Sequence, residues 1–131
     1  MFLDIACVAF GGGLGSVGRY LCGLLPTSNV YGFPLVTLMI NFIGAVIIGL
    51  LSALWDNSAL LHFNLSERAM LFLKVGFCGG FTTFSTFSLE MFNLMDGGRY
   101  AVALLYALLS VLLCLCGVFL GRYLVRLIYG R

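Results

Sequence analysis

The chain has 131 residues, 62% of them apolar before glycine is counted, with seven Lys and Arg set against five Asp and Glu. A soluble domain carries about 25% charged residues, so a soluble globular protein is excluded, and the absence of any basic run excludes a nucleic-acid partner. At about 20 apolar residues per crossing, the length allows four spans with short connections. Four thin helices leave little wall to enclose a pathway, so self-association is expected.

Charge-free runs cover 5–18, 20–55, 75–89 and 100–121. The second is too long for one crossing, and Pro26 and Pro34, which bracket Thr27, Ser28, Asn29 and Gly32, divide it. The reading is a single-domain, all-α, multi-pass membrane protein with spans at about 2–25, 34–55, 67–95 and 99–128. The first span lacks a basic leader and a small-residue cleavage site, so it is expected to be retained. The stretch 56–67 is the most polar, and Ser66 or Asn64 is placed to cap the third helix. Asp96, Gly97 and Gly98 make a tight turn into the fourth. With four spans both termini and the 56–67 loop share one side, where Arg68, Lys74, Arg122, Arg126 and Arg131 outnumber Arg19 and Arg99 by five to two. That bias mildly favours cytoplasmic termini, yet a chain so evenly charged can insert either way.

In the first span Gly13, Gly15 and Gly18 spell G-x-G-x-x-G. They are interior to an apolar span, and no acid follows between Asp4 and Asp56, which excludes a dinucleotide site. Gly11 with Gly15, and Gly117 with Gly121, are small residues at four-residue spacing and read as packing seams. Cys7, Cys22, Cys78, Cys114 and Cys116 have no paired spacing and read as small packing residues. Neither His62 nor the Asn64-Leu65-Ser66 sequon supports a function.

In the second span Asn41 needs a partner in a medium that supplies none, and Thr37 lies one turn before it on the same face. An interhelical hydrogen bond and a donor to an anion are both open readings. The third span carries Gly79, Gly80, Thr82, Thr83, Ser85, Thr86 and Ser88 at mid-depth, a poor helix-forming sequence whose hydroxyls can satisfy freed backbone groups. We expect a broken helix near 79–83, which is either a plain kink or a site where carbonyls meet a cation and a helix N-terminus meets an anion. Phe84 and Phe87 share a face, and their positive ring edges can contact a small anion. In the fourth span Tyr106 and Ser110 make a polar stripe, with Cys114 one turn beyond. Arg19, Lys74 and Glu90 are costly at membrane depth. Glu90 reads as a structural anchor or a partner for a basic residue.

Three strings together resemble the Fluc family of small fluoride channels, also called CrcB proteins. They are Gly12-Gly13-x-Gly15-x-x-x-Arg19-Tyr20, then Thr37-x-x-x-Asn41-x-x-Gly44, then the run from Gly76 through Thr82-Thr83-Phe84-Ser85-Thr86-Phe87-Ser88 to Glu90. The resemblance implies a fluoride-specific passive channel in the plasma or inner membrane, exporting cytoplasmic fluoride. It implies an antiparallel, dual-topology dimer, formed with a second inverted copy or with a paired homologous chain, and two pathways lined by both subunits. It further implies Phe84 and Phe87 as rings contacting fluoride, Asn41 as a donor facing them, and Ser85, Thr86, Tyr106 and Ser110 as hydroxyl positions. Arg19 would stand in the vestibule. A structural sodium ion, not transported, would be held by the backbone carbonyls of Gly79 and Thr82.

A proton-coupled multidrug exporter of the four-helix, dual-topology type is the alternative, but it needs a mid-membrane carboxylate in its chamber, and Glu90 is the single intramembrane acid. A membrane assembly subunit would leave the Phe-Ser-Thr-Phe stripe unexplained. No nucleophile, base and orienting group occur together, so an enzyme is not expected.

Overall fold

A computed structural model describes residues 1–25, 32–57 and 65–129. The regular elements are helices: α1 (Phe2–Gly23), α2 (Leu35–Asp56), α3 (67–81), α4 (Phe84–Asp96) and α5 (Tyr100–Tyr129). Helix α3 has three parts. Its first turn, Glu67–Met70, and its last, Gly79–Phe81, are α-helical, while Leu71–Cys78 is wound as a π-helix. Helices α1, α2 and α5 and the interrupted Glu67–Asp96 segment are each long and apolar enough to cross a membrane. Ser66 caps α3 by accepting from Ala69 N at 3.2 Å. Asn64, His62, Arg131 and the 26–31 part of the predicted turn lie outside the described residues. Gly98, at φ 71°, supplies the left-handed residue of the turn before α5.

Ion pairs and apolar clusters set the helix directions. Arg68 meets Asp4 at 3.2 Å and Arg122 meets Asp56 at 3.0 Å. Leu51 late in α2 packs with Met70 early in α3, and Leu38 early in α2 packs with Leu94 late in α4. Arg99 donates to Gly32 O at 2.9 Å, which ties the start of α5 to the start of α2. Asp4, Asp56, Arg68 and Arg122 therefore share one end of the bundle, the end that holds the N-terminus.

Backbone approach explains the glycine seams. Helix α1 lies along α3, and α2 lies along α5. A Cβ on Gly11 would overlap Phe72 O, and one on Gly15 would overlap Phe77 O. Gly121 faces Val46 O and Leu50 N in the same manner, and Gly49 faces Val118. Side chains larger than hydrogen would separate these pairs, so the small residues let the helices close without a hydrophobic driving force from water.

Candidate functional site

The break between α3 and α4 is two residues long. Thr82 (φ −77°, ψ 160°) and Thr83 (φ −151°, ψ 120°) are extended, so the helical hydrogen-bond ladder stops. Thr82 closes the end of α3, with its N and Oγ1 donating to Cys78 O at 3.0 and 2.8 Å. Its methyl presses on Gly44 of α2, where a Cβ would collide with it.

Thr83 opens α4. Its Oγ1 accepts from Thr86 N at 3.1 Å, an N-cap, and donates to Thr86 Oγ1 at 3.0 Å, with Ser85 Oγ 3.3 Å away. Its backbone is held from α2: Thr83 N donates to Asn41 Oδ1 at 2.8 Å, and Asn41 Nδ2 donates to Thr83 O at 3.1 Å. A side-chain amide thus replaces the partner that Thr83 N would have in an unbroken helix, and adds a donor to Thr83 O, which as the N-cap carbonyl also accepts the first bond of the α4 ladder. Since Thr83 N is committed to Asn41, Gly79 O loses its helical donor.

A groove of about 420 Å³ runs along this break and is lined by Asn41, Thr82, Thr83, Phe84, Phe87 and Ser110, among others. Gly79, Lys74 and Cys114 also line it. The Phe84 and Phe87 rings stand 5.6 Å apart at 40°, and Phe84 is 78% exposed. Ser110 is 7% exposed, and its Oγ has no hydrogen-bond partner among the described residues. This hydroxyl borders the open groove.

A second groove of about 430 Å³ contains Arg19, Thr37, Thr83, Thr86 and Glu90. Thr83 lines both. Glu90 accepts from Thr37 Oγ1 at 2.8 Å and from Tyr106 OH at 2.7 Å. Its partners are therefore hydroxyls and not a basic residue, which corrects one of the two sequence expectations. Two hydroxyl donors thus satisfy an intramembrane carboxylate.

The predicted residues are thus divided. Asn41, Phe84, Phe87, Ser110, Gly79 and Thr82 come together on the first groove, whereas Arg19 and Thr86 stand on the second. Tyr106 is fully buried, 5.1 Å from the Phe87 ring and bonded to Glu90, and lines neither groove. Ser85 is exposed beside Thr83 and also lines neither. Sequence reasoning missed Thr83, although a threonine three residues before Thr86 at the start of a helix is an N-cap signal. It also missed the π-winding, for which no local signal exists.

Comparison with known proteins places this arrangement. The profile of "CrcB-like protein, Camphor Resistance (CrcB)" matches residues 6–122. The chain belongs to the CrcB family. Among its CrcB relatives, a Ruminiclostridium cellulolyticum protein is 42% identical over 127 residues, 96% of this chain and 95% of that one. A Bacteroides fragilis protein is 40% identical over 125 residues, covering 92% and 94%, and a Pyrococcus furiosus protein is 42% identical over 126 residues, covering 94% and 96%. Each of the three is named "Fluoride-specific ion channel FluC". Family membership and four apolar spans make this CrcB protein a multi-pass membrane protein.

Proposed function

We propose that the chain is a fluoride-specific passive channel, and that fluoride passes along the groove of Asn41, Phe84, Phe87 and Ser110. The observation that carries this is the unpartnered, buried Ser110 hydroxyl on the same groove as two phenyl rings and a carboxamide. Fluoride is small and strongly hydrated, so a narrow apolar route must replace its water with fixed donors. Ring edges, the remaining Asn41 proton and serine hydroxyls are individually weak. In sequence they bind the ion without trapping it, and no lysine or arginine stands between Gly79 and Leu89. Asn41 then has two tasks on one amide, clamping Thr83 and facing the groove. The names of the relatives favour this reading over a proton-coupled exporter.

The groove is open along one side, and in our reading a second, inverted copy closes it, giving two pathways per dimer. A structural sodium ion fits the broken α3: Gly79 O has lost its helical donor, Gly79 and Thr82 border the open groove, and hard cations take carbonyl oxygen. Gly79 and Thr82 of both copies would hold it, and its charge would neutralise the converging carbonyl ends.

The test is fluoride efflux from liposomes containing only the purified protein, read with a fluoride electrode beside a chloride control. Fluoride release with chloride retained supports the proposal. Release no faster than from empty liposomes, or equal release of both ions, rejects it.

A further inference from the structure

Lys74 is unused by the fold as described. Among the described residues it has no ion-pair partner, although it is only partly exposed and stands within a span. Two acids of its end of the bundle are engaged elsewhere: Asp4 with the N-terminal amine and Arg68, and Asp56 with Arg122. Glu67 lies in the first turn of α3, and Glu90 lies beyond the break on the other groove.

Three helices locate Lys74 independently. It lines the Asn41–Phe84 groove together with Ile48 and Cys114. At no more than about 1.5 Å per residue, less in the π-wound part, Lys74 is at most about 10 Å from Glu67 along α3. Ile48 is about 12 Å from Asp56 along α2, and Cys114 about 12 Å from Arg122 along α5. These heights agree, so the three residues form the rim of the groove nearest the N-terminal end of the bundle. Ser110 and Asn41 follow deeper, and Phe87 lies farthest along.

We propose that Lys74 captures the permeating anion at this mouth. The inference rests on the conduction reading above. An ammonium without a resident carboxylate is neutralised by a mobile anion, and it raises the local concentration of any small anion while repelling cations. Lys74 precedes Thr82 by eight residues, at most about 12 Å of helix, part of it π-wound, so it feeds the ring pair without binding the ion there. The charge therefore sets how flux depends on fluoride concentration and on salt, and leaves the saturated rate to the groove.

The experiment compares wild type, Lys74→Gln and Lys74→Arg in zwitterionic liposomes, with fluoride flux measured at low and saturating fluoride and ionic strength raised with a bulky impermeant salt. At low fluoride and low salt, Lys74→Gln lowers flux by about tenfold, the low end of the range of electrostatic steering. The gap closes at high salt, where the Debye length shrinks to about 3 Å at 1 M, and closes again at saturating fluoride. Lys74→Arg behaves as wild type. Lys74→Met must give the glutamine result if the glutamine variant does not assemble. Equal flux at low salt overturns the proposal, as does a loss independent of salt and fluoride, which marks a structural role. Wild type silent in the same liposomes refutes conduction itself, a failure distinct from that of the mouth residue.

Discussion

Replacing Asn41 by alanine removes both hydrogen bonds that hold Thr83, the 2.8 Å bond from Thr83 N and the 3.1 Å bond to Thr83 O. Lipid offers Thr83 N no other partner, whereas Thr83 O, the N-cap carbonyl of α4, stays in the helical ladder. One buried backbone N–H left unpartnered costs about 1–3 kcal/mol, so Asn41→Ala should destabilise by about 1–3 kcal/mol, a sizeable share of a typical total of about 5–15 kcal/mol. Asn41→Asp keeps an acceptor for Thr83 N but sets a carboxylate oxygen against Thr83 O, and a carboxylate at mid-span costs about 2.5–3.5 kcal/mol. Unfolding in mixed micelles, followed by circular dichroism against denaturing detergent, should place both variants below wild type. Both variants within about 0.5 kcal/mol of wild type, the scatter of a neutral surface change, would refute the argument that this amide carries the break. Fluoride efflux should be strongly reduced in both.

Other residues separate conduction from stability. Phe84 is 78% exposed and its ring contact is with Phe87, so Phe84→Ile should leave micelle unfolding within about 1 kcal/mol of wild type while liposome fluoride efflux falls by an order of magnitude. Ser110→Ala deletes a buried hydroxyl without a partner; stability should hold or rise by up to about 1 kcal/mol, whereas fluoride efflux should drop severalfold. Gly121→Ala should do the reverse, destabilising by about 1–3 kcal/mol through overpacking against Val46 O and Leu50 N, measured by the same detergent titration.

Periodicity and punctuation made the four spans, the tight turn at Gly98 and the packing glycines legible, because each follows from local chemistry repeated along one element. The break was legible for the same reason: glycines and hydroxyls at mid-span are poor helix formers wherever they occur. What holds it was not. Asn41 is separated from Thr83 by 42 positions, and Thr37 from Glu90 by 53, and nothing in the local sequence of α2 says which backbone its amide meets. Tyr106 and Ser110 looked equivalent at one turn's spacing, yet the bundle buries the first against Phe87 and Glu90 and turns the second to the groove. Lys74 could be read as costly but not placed, since its position depends on where α2 and α5 set Ile48 and Cys114.

The central claim, that current through this protein is carried by fluoride, is tested most directly by a reversal potential. With the purified protein in a planar bilayer, chloride equal on both sides and a tenfold fluoride gradient imposed, a fluoride-selective pathway should reverse at about 59 mV, the one-electron-charge value for a tenfold ratio. A reversal potential that stays at zero under that gradient, or that follows chloride when chloride is varied instead, would contradict the account.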